Sequence, residues 1–387
     1  MISLEIKRLI IIAALTLGLA SPGSQPALAV PSTSSQYVCL MDAGSGQVLY
    51  GRHMDEKRPV ASTTKMMSAI VAVEYARLDE KAVVSQHADQ TAEYTIGLKS
   101  GAQLTVEELL KVALLRSAND AAVVLAEYVA GDEMLFAHLM SLKAFAIGAV
   151  QTRYDNASGL PGNQQYSTAY DLAVIGRYLM TNPILKSLAA SKQAYFKHPA
   201  YEQPLLINNT NTLLFSYPGA DGIKTGTTDA AGKCLVASAT RQGRQLIAVA
   251  LRSADRSADC ARLLDYGFKE TQAVLVVDKS EPFKKVRLSG GQQDTLLLYP
   301  DQDIYLWLGS AGPDIEKRVC LDYDIKAPVT KNQNLGKLSI YAEGKPVATA
   351  NLTSADHYPR GPGLTTRILR ALGQRWGLYP GVLDADP

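Results

Sequence analysis

The spacing of apolar and polar residues predicts an α+β fold for about the first 270 positions of the chain. Two short strands at 37–41 and 47–50 flank a turn and form a hairpin. Apolar periodicity then predicts helices at about 62–78, 105–116, 121–130 and 169–180. Beyond Gly222 the pattern changes to strands at 224–228, 234–240 and 246–251, followed by a helix over 255–266. We expect the hairpin and these strands to share one antiparallel sheet, with the helices packed on it.

A different pattern covers residues 271–357, where short apolar runs alternate with turn residues. The runs lie at 274–277, 296–298, 304–307 and 338–341. Their length and spacing predict a small all-β domain that follows the α+β unit.

The N-terminal segment has the layout of a secretory signal peptide. Lys7 and Arg8 precede an apolar run at 9–20, and small residues at 27–29 provide a cleavage site. The alternative is a membrane anchor, but the apolar run is too short to span a bilayer comfortably. We therefore expect cleavage after Ala29 and a mature protein that begins near Val30 and works outside the cytoplasm.

The C-terminal segment 363–379 reads as a basic amphipathic helix. One face carries Leu364, Ile368, Leu372, Trp376 and Tyr379, and the opposite face carries Arg367, Arg370 and Gln374. Such a helix is suited to lie in a membrane interface. The alternatives are a helix docked on its own protein or a frayed tail, because Gly373 and Gly377 lower helix propensity. The chain thus divides into 1–29, 30–270, 271–358 and a membrane-associating tail at 359–387.

Composition excludes some classes of function. The 387 residues carry a formal net charge of +2, which gives no reason to expect a nucleic-acid partner. The five histidines are dispersed, and no cysteine–histidine cluster has metal-ligand spacing, so we expect neither a metal nor another cofactor. The cysteines are scattered in apolar contexts and are interpreted as buried free thiols: Cys39, Cys234, Cys260 and Cys320.

Ser62 and Lys65 form the first of three motifs that occur in order along the chain. They are three residues apart at a predicted helix start, so their side chains share a face. A serine hydroxyl is a weak nucleophile unless a base takes its proton, and a lysine with a lowered pKa can be that base. Taken alone, Ser62 would be interpreted as a helix N-cap.

The second motif, Ser117-Ala118-Asn119, interrupts two predicted helices. Polar side chains at such a break can point into a cleft. Ser117 can then pass a proton between lysines and a leaving amine, and Asn119 can hold a substrate amide. Taken alone, the motif is only a helix breaker.

The third motif, Lys224-Thr225-Gly226, opens a predicted strand. Lys224 and Thr225 present donors to a terminal carboxylate, and Gly226 allows a close approach of backbone or substrate. The N–H groups of Ser62 and Thr227 could form an oxyanion hole. The order of the three motifs predicts serine acyl transfer without a histidine.

With its three motifs in this order, the chain resembles the serine-type D-alanyl-D-alanine carboxypeptidases of peptidase family S11, which are low-molecular-mass penicillin-binding proteins. The resemblance is strong over 37–268 and extends to the sequences around the motifs, at 159–161, 166–171, 221–228, 231–239 and 263–268. It implies a β-lactamase/penicillin-binding-protein-like catalytic domain at 30–270. The β-rich domain and the tail resemble the family by layout only.

The resemblance also implies a substrate and partners. Ser62 would attack the carbonyl between the last two D-alanines of a peptidoglycan stem peptide, and β-lactam antibiotics would acylate the same serine. Arg256 matches an arginine that helps to bind the substrate carboxylate. Two positions depart from the common pattern: Gln165 replaces a histidine, and Thr212 replaces a basic residue. We expect the tail to hold the protein on the outer face of the cytoplasmic membrane.

Two alternatives remain open from the sequence. A β-lactamase shares the three motifs, but the loop before Tyr166 has no acidic residue in a Glu-x-x-Leu-Asn arrangement. A non-catalytic wall-binding or signalling protein would have no physical reason to keep Ser62, Lys65 and Lys224. The balance between carboxypeptidase, transpeptidase and endopeptidase activity stays open, because it depends on whether water or an amine reaches the acyl-enzyme.

Overall fold

The computed structural model describes residues 30–309, 313–322 and 324–363. These residues form an α+β unit followed by a unit of β-strands, as the hydrophobic pattern predicts. The predicted signal peptide and the amphipathic helix beyond Gly363 lie outside the described residues. In the part that is described, no helix has the length and apolarity needed to cross a membrane.

Over the described residues, the helices all belong to the first unit. They are α1 (Lys65–Tyr75), α2 (Gln86–Asp89), α3 (Val106–Leu115), α4 (Asn119–Ala130), α5 (Glu133–Ala146), α6 (Ala169–Thr181), α7 (Pro183–Ala190), α8 (Leu213–Ser216) and α9 (Arg256–Glu270).

The strands continue through both units. Those of the first unit are β1 (Tyr37–Asp42), β2 (Val48–Arg52), β3 (Lys81–Val83), β4 (Gln103–Thr105), β5 (Gln193–Phe196), β6 (Leu205–Asn208), β7 (Ala220–Thr228), β8 (Gly232–Arg241) and β9 (Arg244–Ser253). Those of the second unit are β10 (Thr271–Val277), β11 (Lys284–Arg287), β12 (Thr295–Pro300), β13 (Ile304–Gly309), β14 (Ile315–Leu321), β15 (Asn334–Ala342) and β16 (Lys345–Ser354).

An antiparallel sheet in the order β2-β1-β9-β8-β7 organises the first unit, so the predicted hairpin and the later strands do share one sheet. Helices cover both faces of this sheet. Val38 and Leu40 pack towards α9, whereas Cys39 and Met41 pack into the larger core around α1. Since both faces are buried, β1 reads as a continuous apolar run rather than an alternating one.

The helix α1 is the centre of the larger core. Its residues from Lys65 to Ala72 are all buried. A 3₁₀ turn over Ala61–Thr64 precedes it, so the helix that the sequence places at 62–78 is shorter at both ends. The helix α3 begins with a cap at Thr105, whose side chain accepts a hydrogen bond from the Glu108 N–H at 3.2 Å.

Several elements were not predicted from the sequence, and α5 is the clearest. Its buried residues Phe136, Met140 and Ala144 share one face, but Leu142 and Phe145 are exposed on the others. The apolar residues therefore surround the helix and obscure its periodicity. The helix α7 and the hairpins β3–β4 and β5–β6 were also missed.

The second unit is the predicted all-β domain. Its larger sheet has the order β11-β12-β16-β15-β14, and β10 pairs with β13. A separate apolar core fills it, with Leu298, Leu338 and Leu352 fully buried.

The four cysteines are free, as predicted, but the prediction that all are buried is wrong for Cys320, which is exposed on the edge strand β14.

The two units meet around Gln47 and Trp307. The buried Gln47 carboxamide donates to Trp307 O at 2.7 Å and accepts from Trp307 N at 2.8 Å. The Arg244 guanidinium lies 3.3 Å from the centre of the Trp307 ring and donates to Asp42 Oδ2. The Gln47 side chain thus joins the first unit to strand β13 of the second unit through two hydrogen bonds to the Trp307 backbone.

We predict that Gln47→Leu lowers the free energy of unfolding by about 1–3 kcal/mol, because the N–H and the carbonyl of Trp307 lose the hydrogen bonds that they make to the buried Gln47 carboxamide. Denaturant unfolding of the mature protein measures the change. The control is Gln103→Leu, which alters an exposed side chain on β4 and should change stability by less than about 0.5 kcal/mol. Equal effects of the two substitutions would contradict this account of the junction.

Candidate active site

The Ser62 hydroxyl lies in the 3₁₀ turn that precedes α1. Ser62 is half-buried, whereas Ala61, Thr63 and Thr64 are buried. Ala61 has a φ of +49°, a conformation that a residue with a Cβ adopts only under constraint. Part of this constraint comes from Gly159, where a Cβ would lie 2.1 Å from Ala61 O. The turn that carries the serine is therefore fixed by close backbone packing.

The Lys65 side chain is fully buried beside Ser62. Its Nζ donates to Ser62 Oγ at 3.0 Å, to Asn119 Oδ1 at 2.5 Å and to Ser158 O at 2.6 Å. Three acceptors match the three donors of an ammonium group. In the neutral form, the nitrogen lone pair can instead accept the Ser62 hydroxyl proton.

The surroundings of Lys65 favour this neutral form. Burial lowers the pKa of Lys65 well below its ordinary value, and the positive charge of Lys224 lowers it further. The carboxylates of Asp120 and Glu133 act in the opposite direction. With its pKa lowered, the amine stays neutral over a wider pH range, which is what a general base for Ser62 requires.

Ser117 lies at the break between α3 and α4 with a φ of +65°. The Lys224 Nζ donates to Ser117 Oγ at 2.9 Å and to Thr225 O at 3.0 Å. Burial, followed by the charge of Arg256, lowers the pKa of Lys224 to about 7. Lys224 is thus placed to exchange a proton with Ser117 near neutral pH.

The Asn119 carboxamide makes contacts that its residue type alone did not indicate. Its oxygen accepts from Lys65, and its Nδ2 donates to Glu93 O at 3.0 Å and to Ala92 O at 3.3 Å. The sequence suggested that it holds a substrate amide. The structure places it as a bridge that orients Lys65 and ties the 92–93 loop to the site.

The strand β7 carries the third motif along the edge of the sheet. A Cβ on Gly226 would lie 2.9 Å from Val60 O and 3.0 Å from Ser62 N, so only glycine allows this approach of β7 to the serine turn. An edge strand can accept an extended peptide as an added strand. This edge can therefore pair with an extended peptide beside Ser62.

The remaining predicted binding residues support β7. The Thr225 hydroxyl is 2.7 Å from that of Thr210. The Arg256 Nη1 donates to Gly226 O and to Thr227 Oγ1, each at 2.9 Å. These contacts fix the residues next to Lys224. The elements that meet here, together with the break between α3 and α4, carry the nine residues predicted from the sequence: Ser62, Lys65, Ser117, Asn119, Lys224, Thr225, Gly226, Thr227 and Arg256.

The sequence analysis missed the role of the 156–160 loop. Its Ser158 carbonyl binds Lys65, a contact made by the backbone and therefore invisible as a residue type. Gln165, which replaces a histidine of the common family pattern, also contacts this loop. The Gln165 side chain accepts from Asn156 N at 3.2 Å and donates to Leu160 O at 3.0 Å, so it braces this loop. Over the described residues, no group of side chains is arranged to hold a metal ion.

Comparisons with known proteins agree with this geometry. A family profile described as D-alanyl-D-alanine carboxypeptidase matches residues 24–255, and one described as the C-terminal domain of penicillin-binding protein 5 matches residues 272–360. The D-alanyl-D-alanine carboxypeptidase DacA of Escherichia coli is 30% identical over 86% of this chain and 85% of its own length. DacF of Bacillus subtilis is 29% identical over 86% and 88%.

Solved structures give the same result. That of D-alanyl-D-alanine carboxypeptidase DacD from Francisella tularensis has a TM-score of 0.67 at 25% identity and covers 90% of this chain and all of its own. That of penicillin-binding protein 5 from Haemophilus influenzae has a TM-score of 0.67 at 26% identity, with 86% and 100% covered. The first profile alone spans more than half of the chain, and the chain therefore belongs to the D-alanyl-D-alanine carboxypeptidase family.

Proposed function

We propose that the mature protein removes the terminal D-alanine from peptidoglycan stem peptides through an acyl-enzyme on Ser62. One observation carries this assignment of residues. The Ser62 hydroxyl is 3.0 Å from the amine of Lys65, which is buried and has a lowered pKa, at a site that the family profile includes.

The acylation step begins when the neutral Lys65 amine takes the Ser62 proton. The Ser62 oxygen attacks the carbonyl carbon between the two D-alanines, and the N–H groups of Ser62 and Thr227 stabilise the negative charge that forms on the carbonyl oxygen. The C–N bond then breaks. The departing D-alanine nitrogen receives the proton that Lys65 took, relayed through Ser117, which Lys224 contacts at 2.9 Å, so Lys65 is neutral again before the second step.

The second step releases the remaining peptide. Water attacks the ester on Ser62, Lys65 accepts a proton from this water, and Ser62 regains its hydroxyl hydrogen. Binding of the substrate carboxylate falls to Lys224, Thr225, Thr227 and Arg256, because they supply cationic and hydroxyl donors along the edge of β7. Penicillins, which mimic the terminal dipeptide, enter the same path and acylate Ser62.

Contacts in the site argue against the two alternative functions that the sequence leaves open, a β-lactamase and a non-catalytic wall-binding or signalling protein. A β-lactamase would need a carboxylate that drives rapid hydrolysis of the acyl group. In the loop before Tyr166, the Asp155 carboxylate instead accepts from Gln164 N at 2.6 Å and braces the loop. A non-catalytic wall-binding protein is disfavoured because Lys65 and Lys224 keep buried amines with lowered pKa values beside serine hydroxyls.

We also propose that the protein acts outside the cytoplasm, on the outer face of the cytoplasmic membrane. The support is the signal-peptide layout at 1–29 and the basic amphipathic pattern at 363–379. The β-rich unit would then serve as a spacer, or as a docking module, between the membrane and the catalytic unit.

We predict that D-alanine release from a diacyl-Lys-D-Ala-D-Ala peptide falls by about a thousandfold or more in Ser62→Ala, because the nucleophile is lost. Lys65→Ala should abolish penicillin labelling, because no base remains for Ser62. Circular dichroism of each variant checks the fold. Release by the folded Ser62→Ala variant at the rate of the unsubstituted protein, or strong labelling of folded Lys65→Ala, would contradict these roles.

We predict that the mature protein sediments with vesicles that contain anionic phospholipid, whereas a chain that ends at Gly363 stays in the supernatant. The physical reason is that the shortened chain lacks both the apolar residues and the arginines of the predicted amphipathic helix. Both proteins should release D-alanine at equal rates in solution, which controls for folding. Equal sedimentation of the two would count against a membrane role for the tail.

A further inference from the structure

The Glu133 carboxylate connects the start of α5 to the loop behind the catalytic lysine. Glu133 is the first residue of α5, and 17% of its side chain is exposed. Its Oε1 accepts a hydrogen bond from the Ala157 N–H at 2.9 Å. The other oxygen, Oε2, is 3.1 Å from Nε2 of His87, which is exposed. None of these contacts involves a residue that the proposed mechanism uses.

The segment that Glu133 holds is the one that binds Lys65. Ala157 is followed by Ser158, and Ser158 O accepts from Lys65 Nζ at 2.6 Å. On the opposite side, the Ser68 hydroxyl of α1 donates to Ala157 O at 2.5 Å. The backbone unit that precedes the acceptor, Ala157, is therefore held from α1 through its carbonyl oxygen and from α5 through its N–H. A shift of this unit would move one of the three groups that fix the Lys65 amine.

We propose that Glu133 is a positioning residue for Lys65. It acts in two ways, by fixing the loop that presents Ser158 O to the amine, and by placing a negative charge close behind that loop. This inference rests on the proposed function, in which Lys65 is the base for Ser62.

The charges around Lys65 give the sign of the electrostatic effect. Lys224 on β7 lowers the pKa of Lys65, whereas Asp120 on α4 and Glu133 on α5 raise it. His87 on α2 faces Glu133 from the solvent side and offsets its charge when protonated. Glu133 therefore limits how far burial depresses the pKa of Lys65, and its removal should depress that pKa further.

Two substitutions separate the two effects. Glu133→Gln keeps an oxygen that can accept from Ala157 N–H but removes the charge. It should leave the maximal rate of acylation within about threefold and move the acid limb of the pH profile to lower pH, because Lys65 then loses its proton at lower pH. Glu133→Ala also removes the acceptor, so the maximal rate should fall by about tenfold or more as the loop shifts.

The experiment is the second-order rate of acylation by a penicillin, measured across pH by stopped-flow on the mature protein and the variants. The matched control is Asp132→Asn, which removes a carboxylate one residue earlier and keeps the cap that Asp132 makes to Leu135 N. It should leave both the maximal rate and the pH profile unchanged. Repeating the Glu133→Gln comparison in a His87→Gln background excludes the titration of His87 as the source of the shift.

A downward shift of the acid limb in Glu133→Gln, absent from Asp132→Asn, would support the inference. So would a lower maximal rate in Glu133→Ala that Glu133→Gln restores. Superimposable pH profiles for Glu133→Gln and the unsubstituted protein, with Glu133→Ala altered only in thermal stability, would overturn it. A failure of the proposed function is distinguishable, because the unsubstituted protein itself would then not be acylated.

Discussion

The structure of the site depends on the burial of the Lys65 amine next to a serine hydroxyl. Removing an ammonium group from water is costly, so the protein must either satisfy it fully or let it lose its proton. Here both responses are present. Asn119 and Ser158 supply acceptors to the amine, and the positive charge of Lys224 disfavours its protonation. The result is an amine that is held in place and is ready to accept the Ser62 proton.

Holding this arrangement requires elements that are far apart in the chain to approach closely. The turn before α1 and the strand β7 touch through Gly226, which has no Cβ that would collide with Val60 O. Positive φ values at Ala61 and Ser117 show the same constraint at the two serine motifs. Such conformations persist only because the surrounding core is rigid, and α1 lies at the centre of that core, buried from Lys65 to Ala72.

Much of this was predictable from the sequence because it depends on residue types at fixed spacings. The hairpin of β1 and β2, the capped start of α3 at Thr105, and the three motifs all carry local signals. Other features carry none. The Ser158 contribution is a backbone carbonyl, and Glu133 acts through a loop that only the tertiary fold brings to it. Cys320 is exposed because β14 is an edge strand, a property of sheet order that its own apolar neighbours do not reveal.

The central claim is that burial and the positive charge of Lys224 lower the pKa of Lys65 well below its ordinary value. The most direct test is a ¹³C NMR titration of the mature protein labelled at lysine Cε, with the Lys65 signal assigned by its absence from a Lys65→Arg variant. The account predicts that this signal titrates well below the ordinary lysine value of about 10.4. A Lys65 signal that stays protonated up to that pH would contradict the account, because the site would then contain no base for Ser62.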